Sequence, residues 1–98
     1  MTSRAKAVFS YTTGTEATGL LTVCDTNTDS MRVIAELWDL TTGTLMARAE
    51  DANGNNGQCG SNFAWKISGH WYRLDVWAQN GAGQQTFHNY QTKEKYMN

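Results

Sequence analysis

The chain contains no proline, only two cysteines and only two histidines in 98 residues, and its net charge is −1. Without proline, edge strands lose one of the usual devices that blunt them. Charges or a partner strand must do that work. No apolar run approaches the roughly 20 residues needed to cross a bilayer, which argues against membrane insertion. The basic residues Arg4, Lys6, Arg32, Arg48, Lys66, Arg73, Lys93 and Lys95 are scattered. With a near-neutral balance they create no general field for nucleic acid. The histidines, His70 and His88, stand in no GxSxG or HExxH motif, and the carboxylates are few and dispersed. No nucleophile–base constellation and no phosphate-binding glycine loop emerge, so the sequence predicts a non-catalytic protein without a cofactor. An enzyme would need a pocket holding His70 or His88 beside a carboxylate.

What the chain does have is one pair of cysteines, Cys24 and Cys59. With no CxxC and no HxxxH, zinc binding is a weak reading of the pair. Two separate thiols are a second alternative, and one structural disulfide is the reading preferred for so small a domain. Closing that loop would add roughly 3–4 kcal/mol in the chain-entropy model. A disulfide implies an oxidising compartment, hence a secreted or extracellular protein. The opening Met1-Thr2-Ser3-Arg4-Ala5-Lys6 lacks the apolar stretch of a signal peptide. On the secreted reading Met1 therefore precedes a mature chain. On the reduced-thiol reading the protein is cytosolic.

Threonine, valine and aromatics alternate between clusters of glycine and asparagine, which predicts an all-β chain. Seven strands are expected, near Lys6–Thr12, Thr18–Cys24, Met31–Trp38, Leu45–Ala49, Asn62–Ile67, His70–Gln79 and Gln84–Tyr90. Asn53-Gly54 and Asn56-Gly57 mark a long loop, and Asn80-Gly81-Ala82-Gly83 marks a hairpin. Such spacing predicts one small antiparallel β-sandwich, with a small β-barrel as the alternative. Both ends, about residues 1–5 and 91–98, are expected to be flexible. The spacing of Cys24 and Trp38 hints at an immunoglobulin domain, but Cys59 follows too soon and in a loop, so that signature is absent.

Two constellations could bind something. Asp25, Asn27 and Asp29, with Glu36 further on, follow the oxygen-ligand spacing of a calcium loop, and Asp51, Asn53 and Asn55 repeat it. Ser30 stands where that loop wants glycine, and the flanks read as strands, so hairpin turns rich in Asx residues are preferred. The second constellation is aromatic. In the sixth strand Tyr72, Leu74, Val76 and Ala78 form the natural core face, which leaves Trp71, Arg73, Asp75 and Trp77 outside. The third strand likewise sets Arg32, Ile34 and Trp38 outside. Aromatics mixed with arginine suit a recognition surface. A one-residue register error would reverse the assignment. Trp65 and one of Trp38, Trp71 or Trp77 are expected in the core.

Leu21-Thr22-Val23-Cys24-Asp25, the Asp29 turn, Val33-Ile34-Ala35-Glu36-Leu37, and Cys59 after a Gly/Asn-rich loop carry a resemblance. This pattern, over Leu21 to Cys59, resembles small secreted single-disulfide β-sandwich proteins of actinobacteria. Ser30 departs from it, standing where the turn usually has glycine. The resemblance implies secretion, a Cys24–Cys59 disulfide and a sandwich. It also makes a protein partner plausible, since some proteins of this kind are accessory subunits of toxin assemblies or inhibitors. The reading is thus a secreted, non-catalytic protein-interaction module, binding another secreted or cell-surface protein through the aromatic face or an edge strand. A carbohydrate-binding module, with Trp71 and Trp77 stacking on a glycan, is the alternative.

Overall fold

The computed structural model describes residues 5–25, 32–51, 59–79 and 88–98, with side chains at 7–24, 32–51, 59–79 and 92–98. Its strands are β1 (Ala5–Ser10), β2 (Ala17–Asp25), β3 (Arg32–Asp39), β4 (Thr44–Asp51), β5 (Gly60–Lys66), β6 (His70–Gln79) and β7 (His88–Met97). They pair antiparallel in two sheets, of order β1-β2-β5 and β4-β3-β6-β7. The sheets pack face to face and do not join into a closed barrel, so the molecule is a β-sandwich.

Alternation explains the packing. Leu21, Val23, Ala7 and Ala64 point inward from the three-stranded sheet. Val33, Ala35, Leu37, Ala47, Ala49, Tyr72, Val76 and Ala78 meet them from the other. The side chains are small where β4 and β5 converge. There a Cβ on Gly60 would overlap the backbone carbonyl of Glu50, so only glycine fits. Asn62 Nδ2 donates across the same seam to the Arg48 carbonyl at 3.1 Å. This side of the sandwich is closed.

Cys24 and Cys59 form a disulfide with Cα atoms 4.5 Å apart. Val23 pairs with Gly60 across β2 and β5, so the two cysteines continue that ladder by one residue. The bridge therefore staples neighbouring strands of one sheet on its outer side, unlike the inter-sheet bridge of immunoglobulin domains. Tyr72 is fully buried near the start of β6, and its hydroxyl accepts the Ile67 amide at 2.8 Å. That contact fixes the β5–β6 corner in the manner of a tyrosine corner. Burial pushes the phenol above its ordinary 10.0.

The last strand overlaps the expected one at residues 88–90 and runs past it, while residues 80–87, with the expected hairpin and strand start, lie outside the described residues. β7 runs to Met97, and the stretch expected to fray is paired with β6 from His70–Met97 to Val76–Gln91. Its end is tied down three times. Gly69 N donates to the Met97 carbonyl (2.8 Å), and both Gly14 N (2.7 Å) and Lys66 Nζ (2.9 Å) donate to that of Asn98. The strand was hard to see because Thr92, Lys93, Glu94 and Lys95 give no apolar alternation.

Candidate binding surfaces

The outer face of the four-stranded sheet carries the side chains that the sequence placed there. Ile34 faces Trp77, Trp38 faces Arg73 and Arg32 faces Gln79 across β3 and β6, in one register. Their exposure is another matter. Ile34 and Asp75 are buried and Trp77 is only 5 % exposed, although all three are on the solvent side of the sheet. Ile34 and Trp77 form a small apolar cluster apart from the main core. The Arg48 guanidinium lies over the Trp77 ring, 6.0 Å from its centroid. Trp77 Nε1 donates to Gln79 Oε1 at 2.7 Å.

The charges on this face are largely spent on each other. Arg32 pairs with Glu50 (2.7 Å), Arg48 with Glu36 (3.1 Å) and Arg73 with Asp75 (3.0 Å). Trp38 Nε1 donates to Glu36 at 3.2 Å, and Thr92 Oγ1 donates to Asp75 at 2.7 Å. Arg73 also lies 5.9 Å from the Trp38 ring centroid. What remains open is Leu45, opposite Trp38, and one corner where Trp71 (51 % exposed) packs edge-on against Tyr96 at an interplanar angle of 63°. Trp71 and Trp77 do not form a paired platform: one is exposed and the other is covered.

The three-stranded sheet presents a different surface. Its outer positions are Lys6, Val8 and Ser10 on β1, Thr18, Leu20, Thr22 and Cys24 on β2, and Ser61, Phe63 and Trp65 on β5. Lys6, opposite Cys24 at the disulfide end, is the one charged residue among these positions. Phe63 is 68 % exposed and Trp65 48 %, with Leu20 and Val8 also exposed. Leu20 sits directly opposite Phe63, and Thr18 opposite Trp65.

Trp65 was expected in the core, and the structure places it on the surface. β5 reverses the usual pattern: Ala64 and Lys66 face inward while Phe63 and Trp65 face out. Ala64 is buried against the core, in register with Gly19 of β2. Lys66 is fully buried at the sandwich end, where its ammonium donates to Ser68 Oγ (3.2 Å) and the Asn98 carbonyl. The available signal was the uncharged alternation Thr18-x-Leu20-x-Thr22 beside Ser61-x-Phe63-x-Trp65.

His70 does stand beside a carboxylate. Its Nδ1 is 2.7 Å from Oδ2 of the fully buried Asp39. The other oxygen of Asp39 accepts the amides of Thr41 (2.9 Å) and Thr42 (3.2 Å), which makes the pair a clamp on the β3–β4 turn. Gly43 closes that turn with φ +72° and donates to the Asp39 carbonyl at 2.8 Å. The His88 side chain, Asn27, Asp29, Asn53 and Asn55 lie outside the described residues, as does the side chain of Asp25. Asp51 ends β4 buried. Among the described residues no His, Cys, Asp and Glu cluster suits a metal ion, and no helix is long and apolar enough to cross a membrane.

No family model, curated protein or solved structure matches this chain.

Proposed function

We propose that this is a secreted, non-catalytic protein-interaction module, an accessory or inhibitory subunit, that docks through the outer face of its three-stranded sheet. The observation that carries this reading is the face bearing exposed Val8, Leu20, Phe63 and Trp65, whose one charged position, Lys6, is at its disulfide end. Depletion of charge with enrichment of aromatics is the composition of an interface core. Contiguous exposed apolar surface is uncommon on proteins that work alone. By contrast, docking on the four-stranded face would have to compete with ion pairs already formed there. The disulfide at the end of the face fits an oxidising environment and holds β2 and β5 in register. The alternative, a carbohydrate-binding module, has Trp71 beside Tyr96 as its exposed aromatic platform.

The test is capture from the secreted fraction of the producing organism, with the oxidised protein as bait and a Phe63→Ser/Trp65→Thr variant in parallel. The native protein should retain a stoichiometric partner that the variant loses, with little change in Tm. A partner kept by that variant but lost on Trp71→Ala would move the site to the other sheet. Glycan binding lost on Trp71→Ala, with no protein recovered, would make it a carbohydrate-binding module.

A further inference from the structure

The two sides of the sandwich are unequal. β4 and β5 close one side. On the other, among the described residues, β1 pairs only with β2 and β7 only with β6, so both strands leave a free edge. With three strands against four, no strand among the described residues packs squarely opposite β7. A groove of about 300 Å³ lies in this gap, with Phe9, Tyr11, Leu74 and Met97 among its walls and Lys93 and Lys95 on the β7 side.

β7 turns its lysines toward the groove. Lys93 pairs with Leu74 and Lys95 with Tyr72, so both share the inner side of the sheet with Met97. Neither forms an ion pair with a described residue, and Lys95 Nζ lies 5.6 Å from the Tyr11 ring centroid. Inward charges on an edge strand discourage indiscriminate pairing. They also specify what is admitted. Two cations two residues apart on a strand repeat at roughly 7 Å, the side-chain repeat of a second extended chain.

We propose that this opening accepts an extended acidic segment of a partner protein, added as a strand on the free edge of β1. Carboxylates at alternate positions meet Lys93 and Lys95, and their methylenes cover the apolar floor. The intervening side chains are uncharged and lengthen the outer face beside Val8 and Ser10. The added strand supplies the fourth member of the smaller sheet, and main-chain hydrogen bonds along β1 supply affinity. This site adjoins the Phe63–Trp65 face at Val8 but does not depend on that face binding a partner.

The probe is a capped heptapeptide, Thr-Glu-Val-Glu-Val-Glu-Thr, titrated into the isotope-labelled, oxidised protein and followed by backbone amide shifts and hydrogen exchange. Saturable binding is expected, with slowed exchange at the β1 amides that point away from β2. A Lys93→Glu/Lys95→Glu variant, altered only at exposed positions, should bind this peptide at least about tenfold more weakly. It should instead bind the counterpart with lysine in place of glutamate. Equal affinity for native and variant protein, or protection confined to strands other than β1, would overturn the proposal. So would saturable binding of dodecanoate without binding of the glutamate peptide, which would make the groove a site for acyl chains.

Discussion

Asp39 is buried without being neutralised. Burial acts to raise the pKa of its carboxyl, but hydrogen bonds from His70, Thr42 and Thr41, with the charge of His70, outweigh that effect and hold it below the ordinary 3.8. A carboxylate with a depressed folded pKa contributes in full above its unfolded value and loses that contribution as pH falls through the folded one. Asp39→Asn should therefore cost about 2 kcal/mol at pH 5, and its deficit relative to the native protein should shrink in melts run below pH 3.8. A deficit unchanged down to pH 2 would contradict the ionised, hydrogen-bonded state. Tyr72 makes the second test at this scale. Tyr72→Phe leaves the Ile67 amide without its acceptor, which should lower unfolding free energy by about 1–2 kcal/mol in urea titrations. Neither contact could be read from sequence. Tyr72 was legible as a core residue, but that its hydroxyl reaches back to Ile67 depends on the β5–β6 corner.

At the scale of elements, six strands were legible within a few residues because apolar alternation and Gly/Asn turns mark them. The sixth was legible to the residue, His70 to Gln79. β7 was legible only at residues 88–90; its continuation to Met97 was not, because its inward positions there hold lysines at an edge with no described strand opposite. Its pairing makes a sharp prediction: deleting residues 92–98 should lower Tm by many degrees rather than trim a loose tail. An unchanged Tm would mean that the terminal pairing contributes nothing. The disulfide is the other staple. Reduction, or Cys24→Ala/Cys59→Ala, should cost about 3–4 kcal/mol for its loop, seen as a fall in the urea midpoint. β5 shows why a correct strand can still have its faces reversed. Phe63 and Trp65 are large, so hydrophobicity alone points them inward, but their register opposite Leu20 and Thr18 sets them on the outer face, while Ala64 is buried and Gly60 lies against the Glu50 carbonyl. That register is set by neighbouring strands, which a one-strand pattern does not contain.

For the whole molecule, binding turns on which surface is available. Outer positions on β3 and β6 were legible, including Trp71, Arg73, Asp75, Trp77, Arg32, Ile34 and Trp38. Their mutual satisfaction was not, because it needs the register of β4 against β3 to bring Arg48 beside Glu36 and Glu50 beside Ile34. The sandwich thus has one face of paired charges and one whose single charged position, Lys6, is at its end, with one seam closed and the other open. The most direct measurement is hydroxyl-radical footprinting of the protein, alone and with its captured partner, read at individual side chains. Leu20, Phe63 and Trp65 should be protected in the complex, with Trp71 and Tyr96 oxidised as before. Protection of Trp71 and Tyr96 with Phe63 and Trp65 unchanged would contradict docking through the three-stranded sheet.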